Sequence, residues 1–368
     1  MERKILMITS TSMLGGGPKQ LILLVTGLKE FYDFNVACPP NGEINQQLIS
    51  AIPGNLINIE ERKFSLLDII RLILFVKKFS INVIHSHGKG ASVLGRMTSL
   101  FTGIPLIHTF HGIHINKIPK LSRMIYILYE RLTSFIDFYD IFVSNTEFLE
   151  ASHYSLINNE KYLIIPNGVP NQELTIDSIE NRDNLRKELQ IQNGKITIIT
   201  LCRLEKIKNL FEFIDIAAIC PQYHFIIVGG GDLKSELKQY ISSLNIKNIS
   251  LSGFIHNPMN YLLAADIYLS TSFREGHPIS ILEAMSIGLP VIASNVTGNK
   301  DTIVHDNSGF FYELGSIESA SQYIHMLAND TILRRRLGKE GLIQQRKFFS
   351  SETMISTYSR IYSTFKIN

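Results

Sequence analysis

The chain has 368 residues, of which 45% are hydrophobic and 19% charged, so an intrinsically disordered protein is excluded. This length exceeds what one hydrophobic core ordinarily supports, and two domains are expected. The net charge of +3 is too small to indicate a partner made of nucleic acid, and the three widely spaced cysteines predict neither a disulfide framework nor a zinc site.

The N-terminal segment, Met-Glu-Arg-Lys followed by Ile-Leu-Met-Ile, has an apolar run too short for a signal peptide, and it predicts a first strand. The sequence contains no run of about eighteen uncharged apolar residues, so no membrane span is predicted. Together with the cysteine usage, these features favour a protein of the cytoplasm.

Strand and helix patterns alternate along the whole chain, which is typical of doubly wound parallel sheets. The predicted strands of the first half are Lys4–Thr9, Asn35–Cys38, Asn82–Ser86, Pro105–Phe110, Asp140–Ser144 and Tyr162–Ile165. Helical stretches between them include Lys19–Glu30, Leu66–Phe79 and Ser122–Phe135. The polar stretch Asn171–Asn184 predicts a linker.

The alternation then begins again. The predicted strands of the second half are Lys195–Leu201, Tyr223–Val228, Asn248–Leu251, Asp266–Leu269 and Pro290–Ala293. The fold class is therefore α/β, with two doubly wound, Rossmann-like domains facing a cleft. We expect the first domain over 1–170 and the second over 171–350, with a last helix in 351–368 that crosses back to the first domain.

The segment from Arg62 to Arg131 is strongly basic, since it contains eleven Lys or Arg residues and only two acidic ones, Asp68 and Glu130. Apolar residues are interleaved with them, as in Leu66–Phe79. A basic, apolar helix of this kind can lie on an anionic membrane surface. It can equally be a core helix with a solvated basic edge, and the pattern leaves both interpretations open.

Ligands of doubly wound sheets lie beyond the carboxyl ends of the strands. The first strand leads into Gly15-Gly16-Gly17-Pro18, where consecutive glycines let the backbone approach a phosphate or a sugar. A simple tight turn is the alternative. Because the Gly-x-Gly-x-x-Gly fingerprint is missing, a dinucleotide-dependent dehydrogenase is excluded.

Two basic residues follow the first strand of the second half. Arg203 lies at the strand end and Lys208 at the start of the next helix, an arrangement that suits a diphosphate. Gly229-Gly-Gly231 forms a second glycine turn after the next strand. Phe254 follows a later strand, where it either flanks a flat base or belongs to the core.

Two glutamates lie eight positions apart around a predicted helix start. Glu275 precedes a Gly-His-Pro loop, and Glu283 lies within helical periodicity that begins near Ile279 and ends at Gly288. A helix N-terminus carries free amides and a partial positive charge, so it can hold a phosphate. Two carboxylates that bind hydroxyl groups, on either side of an anion site, would suit a sugar nucleotide. The spacing alone is equally compatible with a surface-loop glutamate and a helix-face glutamate that have no function, and the other motifs favour the sugar nucleotide.

Histidines cluster in the first half, at His85, His87, His108, His111 and His114. His85-Ser-His87 has the spacing of metal ligands, but no cysteine and few carboxylates are near it, so no metal site is predicted. His85, His87 and His108 are expected to end strands and to form local hydrogen bonds. His111 lies where a strand gives way to a loop, a typical position for an active-site imidazole.

In combination, these motifs resemble those of the family 4 retaining glycosyltransferases of the GT-B fold, over essentially the whole chain. The motifs are Gly15–Gly17, Thr109–Gly112, Ile165–Val169, Arg203 with Lys208 and Asn209, Val228–Gly231, Glu275 with Glu283–Met285 and Gly288–Val291, and Asp306–Phe310. The resemblance implies transfer of a hexose or N-acetylhexosamine from a nucleotide sugar, with UDP favoured because it is common in the family. It implies neither a metal nor another cofactor.

The resemblance also implies roles for individual residues. The C-terminal domain would hold the nucleotide sugar: Glu283 would bind the ribose hydroxyls, Arg203 and Lys208 the diphosphate, and Glu275 the hydroxyls of the donor sugar. The N-terminal domain would bind the acceptor.

Further residues would complete the site by the same resemblance. The amides of Ile279 and Ser280 would add to the phosphate site, and His111 would face the transferred sugar. The Gly16–Gly17 loop would close against the diphosphate. The basic, apolar first half then suggests a polyprenyl-linked acceptor and a peripheral location on the cytoplasmic face of the membrane, in the biosynthesis of surface polysaccharide.

Two motifs depart from the family pattern. Lys19 follows Pro18 where many relatives have an acidic residue, and Gly298-Asn-Lys300-Asp301 replaces a Gly-x-Pro-Glu turn. Two other functions compete with transfer on the same fold. A nucleotide-sugar 2-epimerase would need additional acid/base carboxylates that the sequence does not offer, and a non-catalytic binding protein would not need all four charged site residues.

Overall fold

The computed structural model describes residues 3–13, 15–63, 65–113, 119–157, 161–173, 176–189 and 191–366, with the backbone alone at 176–179. His114 lies outside the described residues. The chain forms two compact units: unit 1 comprises Met1–Asn167 with Ser351–Asn368, and unit 2 comprises Gly168–Ser350.

Unit 1 contains a parallel sheet that has seven strands within the described residues, in the order β3-β2-β1-β4-β5-β6-β7. The strands are β1 (Arg3–Thr9), β2 (Tyr32–Cys38), β3 (Leu56–Asn58), β4 (Val83–His87), β5 (Leu106–Thr109), β6 (Asp137–Phe142) and β7 (Tyr162–Ile164). Its first six helices are α1 (Gly16–Leu28), α2 (Glu43–Ala51), α3 (Leu66–Phe79), α4 (Lys89–Thr102), α5 (Lys120–Thr133) and α6 (Asn145–His153).

Unit 2 repeats this arrangement with a parallel sheet of six strands among its described residues, in the order β10-β9-β8-β11-β12-β13. The strands are β8 (Thr197–Leu201), β9 (His224–Val228), β10 (Ile249–Gly253), β11 (Ile267–Ser270), β12 (Val291–Ser294) and β13 (Gly309–Tyr312). The helices are α7 (Ile176–Glu188), α8 (Leu210–Ile219), α9 (Lys234–Ser243), α10 (Met259–Ala264), α11 (Ile279–Ser286), α12 (Ile317–Asn329) and α13 (Thr331–Phe348).

The predicted α/β class with two doubly wound domains is confirmed. The central strands read as continuous apolar runs because helices cover both faces: Ile5–Ile8 of β1 and Phe225–Ile227 of β9 are fully buried. In each sheet the strand order reverses at one point, between β1 and β4 in unit 1 and between β8 and β11 in unit 2. A ligand of a doubly wound sheet binds at such a point.

The last helix, α14 (Ser351–Ser363), belongs to unit 1, where it contacts α1. Its Met354, Tyr358 and Tyr362 are buried in the same core as Leu21 and Leu24 of α1. Tyr362 also reaches the sheet, since its hydroxyl lies 2.7 Å from Nδ1 of His85. Apolar and aromatic residues at helical spacing therefore bind this helix to unit 1.

The predicted linker Asn171–Asn184 is wrong from Ile176 onward, where α7 begins. This helix has little apolar periodicity and is held by ionic contacts that sequence periodicity does not reveal. Arg182 and Arg186 of α7 pair with Asp266, at 2.9 and 3.5 Å, just before β11. Two short strands, β3 and β13, were also missed by the sequence analysis.

No helix in the described part of the chain combines the length and the apolar character needed to cross a membrane.

Candidate functional site

The loops that follow β8 and β11 meet at the point where the strand order of unit 2 reverses. The β8 loop contains a single 3-10 turn, Lys206–Lys208, and Asn209 then adopts a left-handed conformation (φ 50°) before α8 begins. The Thr271 hydroxyl, just after β11, donates to the carbonyl oxygens of Lys208 and Asn209, both at 3.0 Å. The backbone at Lys208 is therefore fixed against β11.

Lys208 and Glu275, which the sequence analysis assigned to one site, are in direct contact. The Lys208 ammonium donates to Oε1 of Glu275 at 2.6 Å, and the Ser272 hydroxyl donates to the same oxygen at 2.6 Å. The two ionic side chains are only 17% and 12% exposed. Because water screens such a pair weakly, the charges can act on a bound anion or sugar more strongly than surface charges would.

Gly298, the first residue of the turn that departs from the family pattern at Lys300 and Asp301, lies against Glu275. A Cβ atom at Gly298 would lie 2.7 Å from the Glu275 carbonyl oxygen, and the residue has a φ of 82°. The Glu275 amide donates to the Thr297 carbonyl oxygen at 3.1 Å. The β12 loop therefore holds the backbone on which the Glu275 carboxylate is carried.

Helix α11 begins at Ile279, as the sequence predicts, after Pro278 as its N-cap residue. The first amides of a helix have no partner within it, so those of Ile279 and Ser280 can donate to an anion. Tyr268 of β11 donates to the Leu201 carbonyl oxygen at 3.2 Å. Tyr268 thus joins β11 to the end of β8, while Glu283 lies in the second turn of α11.

The glycine turn after β9 packs tightly against the β8 loop. A Cβ atom at Gly229 would lie 1.8 Å from the Cys202 carbonyl oxygen, and one at Gly231 would lie 2.7 Å from that of Leu204. Both glycines have a φ of 149°, a conformation that other residues rarely adopt. The turn therefore brings the backbone of two loops together next to Arg203.

Phe254 lies beside this turn, with its Cβ 3.2 Å from the position of a Cβ at Gly230. Its side chain is 49% exposed, so the interpretation of Phe254 as a core residue is wrong. Arg203 lies on the neighbouring loop, where its guanidinium pairs with Glu205 at 2.6 Å. An exposed ring and a guanidinium are thus available on adjacent loops.

In unit 1, Gly17 and His111 are in contact. Gly16 and Gly17 form the first turn of α1, so this helix begins earlier than predicted. A Cβ atom at Gly17 would lie 2.9 Å from Cδ2 of His111. The imidazole therefore packs against the start of α1 and needs a glycine there.

His87 is the hydrogen-bond partner of His111. Nδ1 of His87, at the end of β4, lies 3.1 Å from Nε2 of His111, and the rings stack with centroids 5.4 Å apart. Burial lowers the pKa of His111 to about 3 and moves the pKa of His87 well below its ordinary value. Both imidazoles are therefore neutral, one donating and the other accepting.

The other described histidines of this group are structural, as predicted. His85 bonds to Tyr362 at 2.7 Å and to Thr109 at 2.8 Å, while Nδ1 of His108 lies 2.8 Å from the Ser86 hydroxyl. Over the described ranges, no group of three or more His, Cys, Asp or Glu side chains has an arrangement that could hold a metal ion.

Two residues of the site were not predicted as such from the sequence. Ser272 was not singled out, and His87 was expected only to end a strand and form local hydrogen bonds. Ser272 belongs to Ser270-Thr271-Ser272, and hydroxyl residues directly after a buried strand are a usable signal for a ligand loop. The contact of His87 with His111 carried no such signal, because it depends on the pairing of β4 with β5, in which His87 is opposite Thr109.

Two family models match the chain. Residues 14–173 match Glycosyltransferase Family 4, and residues 181–343 match Glycosyl transferases group 1. The UDP-Gal:alpha-D-GlcNAc-diphosphoundecaprenol alpha-1,3-galactosyltransferase of Escherichia coli is 28% identical over 318 residues, which are 83% of this chain and 82% of that protein. The capsular polysaccharide biosynthesis glycosyltransferase CapM of Staphylococcus aureus is 22% identical over 81% of this chain and 80% of its own length.

A solved structure shows the same fold. The crystal structure of Anabaena HepE in complex with UDP and glucose superposes with a TM-score of 0.86, at 20% sequence identity, over 98% of this chain and 100% of that one. The family matches lie in both units, and they agree with the two sheets and with the motifs quoted above. The chain therefore belongs to glycosyltransferase family 4 and is a glycosyltransferase of the GT-B fold.

Proposed function

We propose that this enzyme transfers a hexose or N-acetylhexosamine from a UDP-sugar to a polyprenyl-linked glycan, with retention of configuration, in the assembly of a surface polysaccharide. The names of the relatives from Escherichia coli and Staphylococcus aureus support this choice, since one uses UDP-galactose with an undecaprenol-linked sugar and the other acts in capsule biosynthesis. The structure of HepE with UDP and glucose supports the donor class.

The observation that carries the proposal is the Lys208–Glu275 pair at the point where the strand order reverses. One side chain can neutralise a phosphate and the other can accept hydrogen bonds from sugar hydroxyls, and they are 2.6 Å apart. The junction of a diphosphate and a sugar is where these two chemistries are needed side by side. A phosphate alone would contact only Lys208, and a sugar alone would contact only Glu275.

The remaining donor contacts follow from this position. Arg203 would give up Glu205 to bind the diphosphate, together with the amides of Ile279 and Ser280. Glu283, one turn further along α11, would accept hydrogen bonds from the ribose hydroxyls. The exposed ring of Phe254 would lie against the base.

In unit 1 the neutral imidazole of His111 would hydrogen-bond to a hydroxyl of the transferred sugar. Its contact with Gly17 leaves no room for a larger residue in the first turn of α1, and the Gly16–Gly17 amides would face the diphosphate. This unit would also bind the acceptor.

The reaction passes through a cationic, oxocarbenium-like sugar. The bond between the anomeric carbon and the phosphate oxygen breaks, and its electron pair leaves with UDP, whose new charge Lys208 and Arg203 stabilise. The acceptor oxygen attacks from the same face, and its proton passes to a phosphate oxygen of the leaving group. In this same-face reaction no covalent bond to Glu275 forms, and its Oε1 would keep the contacts with Lys208 and Ser272.

We further propose that the two cationic side chains take the place of a divalent metal. Transfer would then continue in the presence of EDTA, and added Mg²⁺ or Mn²⁺ would not raise the rate. A rate that EDTA abolishes and one of these ions restores would contradict this point. A trapped glycosyl ester of Glu275 would contradict the mechanism.

We place the enzyme on the cytoplasmic face of the membrane as a peripheral protein, since a polyprenyl-linked acceptor is confined to the bilayer. The basic, apolar character of residues 62–131 supports this location.

A thermal-shift panel of UDP-, GDP- and ADP-sugars without metal, on the wild type and on Lys208→Ala, tests the proposal. We expect UDP-sugars alone to raise the melting temperature, and the shift to disappear in the variant. Wild type that responds to GDP- or ADP-sugars instead would refute the choice of UDP. Wild type that responds to none, even with a polyprenyl-linked sugar present, would refute the donor site.

A further inference from the structure

Helix α5 of unit 1 has its polar and apolar faces reversed. Its buried residues are Tyr126 and Glu130, and the opposite face carries an apolar stripe along the full length of the helix. The stripe consists of Leu121, Met124, Ile125, Leu128 and Leu132, and Phe135 continues it just beyond the helix; their exposed fractions lie between 57% and 71%. The spacing of three or four residues is that of an ordinary buried helix face, but this face is turned outward.

The inward face is polar for a defined reason. Arg96 of α4 is completely buried and donates to Glu130 at 2.7 Å and to Asp137 at 3.0 and 3.1 Å. Removing either carboxylate would take away one of the two partners of a buried guanidinium, so these contacts fix the orientation of α5. The helix therefore cannot rotate to hide its apolar stripe within unit 1.

Neighbouring helices extend the apolar surface. On α3, Ile69, Leu72 and Val76 face the core, while a second row of apolar side chains faces solvent. That row consists of Leu66, Leu67, Ile70 and Leu74, with exposed fractions between 52% and 67%. The prediction of a core helix is confirmed for one face of α3, and the membrane-surface interpretation stays a prediction for the exposed face.

The end of α4 joins this surface to α5. Leu100 and Phe101 of α4 are 55% and 62% exposed. Leu100, Phe135 and Phe138 line an open hollow of about 650 Å³. This many exposed apolar side chains on three successive helices are uncommon in a monomeric protein and favour an interaction site.

The exposed charges on α3, α4 and α5 themselves have one sign. Arg71, Lys77, Lys78 and Lys120 are exposed, whereas the acidic residues of these helices, Asp68 and Glu130, are 1% and 0% exposed. No carboxylate of α3, α4 or α5 therefore faces solvent. An anionic lipid headgroup complements this arrangement, whereas a second copy of the chain would set basic side chains against each other.

We propose that the outward faces of α3, α5 and the end of α4 form a docking surface for an anionic bilayer. The leucine, isoleucine and phenylalanine side chains would enter the region between the headgroups and the acyl chains, and the lysines and arginines would bind lipid phosphates. This inference rests on the proposed function, since a lipid-linked acceptor would be delivered to a unit held in this way.

Sedimentation with vesicles of phosphatidylcholine, with and without phosphatidylglycerol, tests the surface. We expect wild type to bind the anionic vesicles, to bind them less as salt is raised, and to leave neutral vesicles largely unbound. The double variant Leu128→Gln/Leu132→Gln should bind these vesicles at least about tenfold more weakly than wild type. Ile332→Gln, which changes a residue of unit 2 that is 83% exposed, is the matched control and should bind like wild type.

The double variant Lys77→Glu/Lys78→Glu tests the electrostatic contribution to vesicle binding. We expect it to remove the preference for vesicles that contain phosphatidylglycerol. Wild type that does not sediment at low salt, or apolar variants that sediment like wild type, would overturn the proposal. A wild-type dimer that Leu128→Gln/Leu132→Gln converts to a monomer, without vesicle binding, would assign the surface to a second copy instead.

The UDP-sugar thermal shift keeps this test independent of the proposed function. The vesicle-binding variants change only exposed residues of unit 1, so we expect them to retain the shift and the wild-type melting temperature. A variant that loses vesicle binding but keeps the thermal shift supports the docking surface. A wild type that shows no thermal shift contradicts the proposed donor site and leaves the vesicle result unaffected.

Discussion

The Lys208 ammonium and the Glu275 carboxylate are 2.6 Å apart and largely buried, so the cation proposed to bind the diphosphate is already neutralised by the carboxylate proposed to bind the sugar. A donor that enters this site must compensate for any contact it displaces. The pair also keeps each charge in position before the donor arrives, which limits the reorganisation required in the transition state.

Removal of the ammonium should therefore affect catalysis more than folding. We expect Lys208→Ala to lower kcat/KM by about 10²–10³-fold, because the leaving diphosphate loses a charge-assisted contact and Glu275 loses its partner. Initial rates of sugar transfer measure this. Lys206→Ala, which removes an exposed lysine from the same turn, is the matched control and should retain wild-type rates. Equal rates for wild type and Lys208→Ala would remove this residue from the site.

The two glutamates should have different effects on donor binding. Glu283→Gln should weaken UDP and UDP-sugar alike, because the ribose is common to both. Glu275→Gln should weaken the UDP-sugar but not UDP, since the sugar is the part of the donor that Glu275 contacts and the variant leaves the Lys208 ammonium in place. We expect losses of about 10²–10³-fold in kcat/KM for each variant. Calorimetric titration with UDP and with the intact donor measures the difference, and a loss of UDP affinity in Glu275→Gln alone would reverse the assignment.

The glycine turn after β9 should not tolerate a side chain. Gly229→Ala would place a methyl group 1.8 Å from the Cys202 carbonyl oxygen, so the β8 loop that carries Arg203 must move. We expect donor affinity to fall by about tenfold or more. Gly194→Ala is the matched control, because Gly194 also has a positive φ (77°) but has no atom within 4 Å of its Cβ position. It should lose about 1 kcal/mol of stability and no affinity.

Much of the fold was predictable because parallel strands buried on both faces give continuous apolar runs, and the loops that follow them contain glycine, basic and hydroxyl residues. Leu66–Phe79 was predicted with its observed bounds. The structure shows a local reason for them: Ser65 accepts a hydrogen bond from the Asp68 amide at the N-terminus, and Ser80 ends the helix in a left-handed conformation. Helix α7 was not predictable in this way, because Arg182 and Arg186 hold it through contacts 80 or more residues away in sequence. The reversed polarity of α5 likewise depends on the distant Arg96.

His87 should act on the reaction through His111. We expect His87→Ala to lower kcat by about 10- to 100-fold with little change in KM, because the His111 ring loses the bond that sets its tautomer and orientation. In His87→Asn the amide reaches the position of Nδ1, so most of the activity should return. If His87 had only a structural role, both variants would be equally destabilised. The fraction of each variant that folds would then have the kcat and KM of wild type.

The buried histidines of unit 1 should make stability depend on pH. Burial lowers the pKa of His85 and of His111 to about 3, whereas the ordinary value in an unfolded chain is about 6.5. Between these values the unfolded state binds protons that the folded state excludes. The free energy of unfolding is therefore unaffected by these groups above about pH 6.5 and falls below it, by about 1.4 kcal/mol per pH unit for each histidine.

Melting temperatures between pH 7.5 and pH 5 measure this dependence. His85→Gln should reduce the slope, because the variant has one histidine fewer to protonate on unfolding. His153→Gln is the control, since His153 is exposed on α6 and should leave the slope as in wild type. A wild-type melting temperature that stays constant down to pH 5, or a slope that His85→Gln does not change, would mean that His85 takes up a proton in the folded protein. The hydrogen bonds of His85 to Tyr362 and Thr109 would then join an imidazolium rather than a neutral ring to α14.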